Sequence, residues 1–228
     1  MRYSYRLLVL ALGLGLHWGH AMAVENASQA TPPDAGSTAA PAPAVSLKGF
    51  RSAVFGADEA AVRAAITKDF GIAAKDIAKS RNLTDRTDVL TVKVPDIIEG
   101  GGLAEVAYVL GYKSHKLIQV TVVWSKATDK DMTAERLLSN GEALRNYFST
   151  AGYVPASIVA NAEVKDGILL FRGADSEGKT TALMLHGVKT PATDPKQSAQ
   201  PFAPDGLLLF YLADPKTPDV FKLPSGQF

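Results

Sequence analysis

Seven short apolar runs, each closed off by Gly, Pro or polar residues, limit what this chain can fold into more than any other feature. They are Val89–Val94, Leu103–Leu110, Leu117–Trp124, Ser157–Glu163, Ile168–Arg172, Thr180–Val188 and Leu207–Leu212. β-Branched and aliphatic residues in runs of this length predict strands, and the polar segments between most of them are short enough for antiparallel hairpins. Pro95 ends the first run; Glu99-Gly100-Gly101-Gly102 and Gly111-Tyr112-Lys113-Ser114-His115 have turn composition.

Helical spacing interrupts this series twice. Val62, Ala65, Ile66 and Phe70 share one helical face, with Asp58 as N-cap and Gly71 where a C-terminal cap belongs. Thr133–Ala151 places Leu137, Leu138, Leu144, Tyr147, Phe148 and Ala151 along one stripe, although Asn140-Gly141 weakens its middle. Phe50–Phe55 reads as a further strand and Ala73–Lys79 as a short helix before a polar stretch, Ser80–Asp88. The expected fold class is α+β: two tandem helix-plus-antiparallel-meander units, residues 47–126 and 127–228, packed together behind a disordered tether.

The tether, residues 24–46, is Ala, Pro, Ser and Thr with almost no large apolar side chain, so it cannot offset its ordering entropy by burial. Ahead of it, residues 1–23 have the form of a cleavable signal peptide: Arg2 and Arg6, the apolar stretch Leu7–Leu16, then Ala21-Met22-Ala23. Crossing a bilayer takes roughly 20 apolar residues in a helix, so no stable membrane anchor is expected. The expected location is the periplasm or the medium. Cleavage removes two of the 24 basic residues and leaves 22 against 23 acidic ones, a balance that gives no footing for nucleic acid. The sequence has no Cys, so neither a disulfide nor thiolate chemistry is available.

The run from Phe50 through Gly56-Ala57-Asp58 to Arg63, a strand, an apolar-Gly pair and a helix with an acidic residue before Val62, resembles the opening of certain small exported domains. These are the outer-membrane assembly lipoproteins of the SmpA/OmlA-like kind and the β-lactamase-inhibitor-like group. Glu105–Trp124 is similar to the hairpin of the same group, so the resemblance covers Phe50 to Trp124. It implies tandem α+β repeats and no catalytic residues. Ala57 stands where those domains carry a larger apolar residue, and the lipid-bearing Cys of the lipoproteins has no counterpart.

One motif match is complete. Gly173-Ala174-Asp175-Ser176-Glu177-Gly178-Lys179-Thr180 fits the phosphate-loop pattern. Such a loop must lead into a helix whose N-terminal amides hold the anion, yet Thr181–Val188 alternates like a strand. Asp175 and Glu177 would also oppose a phosphate, so a hairpin with Gly178 at a positive φ is expected instead. The histidines that remain after cleavage, His115 and His186, fall in different halves, so a His–His metal site would require the two halves to bring them together and add a carboxylate. No G-x-S-x-G elbow is present, and the carboxylate pairs Asp85/Asp88 and Asp129/Asp131 lie in polar connections.

No catalytic residue, cofactor or metal site is therefore expected. Tyr108, Tyr112 and Trp124 are the candidate interface, since two share a strand face and the third ends the next strand; packing in the sheet core is the competing expectation for them. The expected function is a noncatalytic protein-binding or envelope-assembly module whose partner is an envelope protein. A small periplasmic hydrolase, an enzyme inhibitor and a small-ligand carrier or sensor are the alternatives. Mass spectrometry of the exported product should find Val24 as its first residue; an N-terminus still carrying residues 1–23 would remove the export reading.

Overall fold

The computed structural model describes residues 44–187, 204–223 and 226. The expected signal peptide and all but the end of the expected tether lie outside the described residues, as does most of the 190–204 stretch. The chain is α+β, with two helices and one large antiparallel sheet among the described residues. Two short strands, β1 (Gly49–Phe50) and β2 (Ala53–Val54), come first. Helix α1 (Glu59–Phe70) then precedes β3 (Ala78–Asn82), β4 (Thr87–Val94), β5 (Ala104–Leu110) and β6 (Leu117–Ser125). Helix α2 (Ala134–Ser149) precedes β7 (Val159–Val164), β8 (Gly167–Ala174), β9 (Thr180–His186) and β10 (Gly206–Leu212).

The eight long strands form one sheet in the order β3-β4-β5-β6-β10-β9-β8-β7. The two meanders thus meet at their last strands, with Val122 opposite Leu209 in the joining pair. Val106 and Val92 continue that row to one side, Leu183 and Phe171 to the other. All six side chains are buried in one continuous apolar cluster. Helix α1 adds Val62, Ala65 and Ile66 to the cluster and α2 adds Leu137 and Phe148, so both helices cover the same face.

The middle of α2 is where it seats on the sheet, which accounts for its weak Asn-Gly pair. A Cβ on Gly141 would lie 2.8 Å from Leu170 Cδ1, and Asn140 Nδ2 donates to the Gly101 carbonyl at 2.9 Å. Helix α1 has the expected caps: Asp58 Oδ1 accepts from the Ala61 N–H at 3.0 Å, and Gly71 takes a left-handed conformation.

Three expectations change. Phe50–Phe55 is a tight hairpin rather than one strand, because Arg51 turns the chain at φ 52°. Ala73–Lys79 holds only a 3-10 turn, Ala74–Asp76, and β3 begins where a polar connection was expected. The folded part begins before residue 47: the Val45 N–H reaches the Gly152 carbonyl at 3.0 Å and the Leu47 N–H reaches Asp175 Oδ2 at 2.9 Å. From there the segment crosses the helix-covered face to Leu117, burying Leu47, Phe50 and Ala53 in the cluster, with the Phe50 ring 5.4 Å from Tyr211.

A core shared by both meanders should unfold as one unit. In a protein of residues 24–228, Trp124, buried in the joining pair, is the only tryptophan. Its fluorescence and the far-UV circular dichroism should report the same urea midpoint. Leu209→Ala should lower stability by about 2–5 kcal/mol without separating the two curves; two resolved transitions would contradict a shared core.

Candidate functional site

An open cleft of about 280 Å³ lies where the β1–β2 turn, the end of α1 and the end of β4 converge. Arg51 stands on one wall with Asp69, Phe70 and Ile72; Lys93, Val94, Pro95, Asp96 and Ile97 form the other. Both walls are braced from behind. Asp69 Oδ2 accepts from the Ser52 N–H at 2.9 Å, fixing the turn that carries Arg51 to the helix. On the far side the Asp96 N–H bonds the Gly102 carbonyl at 3.3 Å, Gly101 is held by Asn140, and Asp129 Oδ2 accepts from the Leu103 N–H at 3.0 Å. The glycine-rich connection is therefore tied down at Gly101, Gly102 and Leu103.

Each wall contains a residue in the left-handed region, Arg51 at φ 52° and Asp96 at φ 47°. Asp tolerates this conformation better than most side chains, whereas Arg does so at a cost. The Arg51 guanidinium carbon sits 4.8 Å from the centre of the Phe70 ring and 5.8 Å from that of Phe50, a cation–π arrangement. Among the described residues no carboxylate lies within 4.0 Å of the charged groups of Arg51 or Lys93, and the Asp96 carboxylate accepts no hydrogen bond.

The three aromatic candidates do not form a common surface. Tyr108 and Trp124 are completely buried in the sheet core, the competing expectation for both, because they project from β5 and β6 toward the helices. Tyr112 lies in the β5–β6 turn, partly exposed, with its ring 5.5 Å from Phe221. The Tyr108 hydroxyl and Trp124 Nε1 have no hydrogen-bond partner among the described residues. Burial raises the Tyr108 phenol well above the ordinary tyrosine range; the negative charge of Asp69 adds to this and Arg51 opposes it.

The remaining motifs resolve into structural roles. The phosphate-loop match is the β8–β9 hairpin. A Cβ at Gly173 would fall 2.7 Å from the Tyr153 ring, and Gly178 takes φ 84° at the turn. Buried Asp175 accepts from the N–H groups of Glu177 and Lys179 as well as Leu47, so a carboxylate of the chain itself occupies the amides that a phosphate would need. Ser176-Glu177-Gly178-Lys179 also has the S-x-x-K spacing of some serine hydrolases. Here it is a hairpin tip, with the Lys179 ammonium on Glu177 Oε2 at 2.5 Å.

His115 lies in the β5–β6 turn and His186 at the end of β9, at opposite ends of the sheet; His186 Nδ1 is 2.7 Å from Asp205 Oδ1. Asp129 Oδ1 accepts from the Asp131 N–H, and Asp88 meets Lys79 and Arg81 on β3, so neither carboxylate pair converges on a shared site. The β5–β6 turn is clamped by Asp219, whose carboxylate accepts from the Lys113 and Ser114 N–H groups at 3.0 and 2.8 Å. Burial works against ionisation of Asp219, yet these bonds hold its pKa below the ordinary aspartate range.

Nothing in the sequence drew attention to Arg51, Lys93 or Asp96. A left-handed Arg carries no glycine to mark it, and Pro95-Asp96 reads only as the end of a strand. No family model, no curated protein and no solved structure matches this chain.

If Asp175 is a structural anchor, Asp175→Ala should cost about 1–3 kcal/mol in urea unfolding, because three N–H groups lose their acceptor and that of Leu47 is buried. An unchanged midpoint would mean that the N-terminal segment does not depend on it.

Proposed function

We propose that this chain is an exported, noncatalytic protein-binding module of the bacterial envelope, made of two tandem helix-plus-meander units, and that it holds its partner at the Arg51 cleft. The observation that carries this reading is a cation held in place without an ion pair: Arg51 is fixed by a strained turn and stacked on Phe70, and no carboxylate among the described residues lies within 4.0 Å of its charged group, the Asp69 carboxylate on the same wall being bonded to the Ser52 N–H. Interfaces concentrate their binding energy in arginine and aromatic groups of this kind. Pre-organised walls also reduce the entropy lost on association. The element order supports the tandem reading, since a helix, a 3-10 turn and four antiparallel strands occur twice. The likeness of Phe50–Trp124 to exported assembly and inhibitor domains belongs to the same proposal.

The cleft suits a protein partner better than an enclosed small molecule. Small-molecule sites span about 300–1,000 Å³ and bury most of the ligand. Here Arg51, Pro95 and Asp96 are exposed and the volume falls just below that range. A photo-cross-linking residue at Ile97 should yield a discrete protein adduct in envelope extract, and Arg51→Glu should reduce it several-fold. The same residue at Leu83, exposed at the opposite end of β4, should give none. Equal adducts at both positions, or none at Ile97, would reject the cleft as the binding site.

A further inference from the structure

The cleft offers both charge signs across an apolar surface, which narrows what can enter it. Arg51 has N–H donors on one wall, beside an Asp69 whose Oδ2 is taken up by the Ser52 N–H; on the other wall Asp96 has a carboxylate that accepts no hydrogen bond among the described residues, and Ile72, Val94, Pro95 and Ile97 supply apolar surface. We infer that the cleft binds the C-terminal residue of a partner polypeptide, an apolar one with its free α-carboxylate. This rests on the protein-binding reading above and names its ligand.

The last residue of a chain brings all three complementary groups within one residue's length. Its carboxylate is planar and matches the fork of a guanidinium, which can donate two parallel N–H bonds. Stacking on Phe70 restricts the guanidinium of Arg51, and the Ser52–Asp69 bond fixes the turn beneath it, so little freedom remains to be lost on pairing. Lys93 adds a second positive charge at the rim. The terminal amide N–H is a donor for Asp96, and the side chain covers the apolar wall. A volume of about 280 Å³ accepts a single residue and leaves the preceding chain outside, as the exposure of Arg51 and Asp96 requires.

Fluorescence anisotropy with residues 24–228 and a labelled Gly-Ser-Ala-Ala-Val-Leu peptide tests this. The peptide with a free carboxylate should bind saturably, and its C-terminal amide should bind at least about tenfold more weakly, the loss expected when one charge-assisted pair is removed. Arg51→Gln should weaken the acid to the level of the amide, Arg51→Lys should recover part of the loss, and Arg81→Gln, on the sheet edge, should change nothing. The acid-versus-amide comparison needs no variant and survives a failure of Arg51→Gln to fold. Equal affinity for acid and amide, or no saturable binding of either, would overturn the inference; so would displacement by free leucine at the peptide's own concentration, which would make this a small-ligand site. A partner adduct at Ile97 together with peptide results of that kind would refute the C-terminal ligand and leave the protein-binding reading standing. Loss of both would remove both.

Discussion

The pairing of β6 with β10 is the constraint on which the rest of the structure depends. Each meander has four strands and ends in one whose outer edge would be unpaired if the halves were apart. Joining the last strands replaces two exposed edges with a hydrogen-bonded ladder and sets Val122 against Leu209 at its centre. The six-residue row from Val92 to Phe171 then becomes a single apolar strip. A slip of one residue in this pair would turn one half's core side chains to the opposite face, so the register is fixed by burial on both sides. It also places both helices on one face, and the segment from Val45 to Ala57 lies over the sheet between them.

That arrangement leaves the loops to be ordered by other means, and carboxylates and amides do most of it. Asp175 ties the first segment to the β8–β9 hairpin, Asp219 clamps the β5–β6 turn, and Asp69 fixes the β1–β2 turn to α1. Asp129 and Asn140 together hold the glycine-rich connection. In each case a side-chain group satisfies or uses a backbone group that a turn would otherwise leave unpaired. The chemistry-bearing residues that looked most suggestive in the sequence are therefore spent on architecture, and the rigidity of the cleft is a by-product of two of these braces.

The same division explains what could be read from the sequence. Strands buried on at least one face carry apolar residues at regular intervals, so β4, β5, β6, β8, β9 and β10 were legible nearly to their ends, and Asp58 and Gly71 mark α1 because capping is local. β3 was not, since Ala78-Lys79-Ser80-Arg81-Asn82 is an exposed edge with no apolar face to display. The turn at Arg51 was missed because left-handed backbone is signalled by Gly or Asn, and here tertiary bonds impose it on Arg. Tyr108 and Trp124 are amphipathic enough to suit a surface or a core; only the position of the helices over β5 and β6 decides between them. The cleft residues come from three separated stretches of chain, and no local pattern links residue 51 to residue 96.

The sheet edges bear on how such a protein would meet a partner. Strand addition is the common route for a sheet protein, but it needs an unbroken edge. Edge strand β3 carries Lys79 and Arg81, held by Glu59 and Asp88, and charge of this kind blunts an edge against further pairing. Edge strand β7 is interrupted at Asn161, whose φ of 53° turns the backbone out of the extended conformation halfway along it. Both edges are thus poorly suited to accept another strand. The proposed recognition surface lies instead where a helix end and a hairpin turn converge, and there Arg51 is fixed with no carboxylate within 4.0 Å among the described residues.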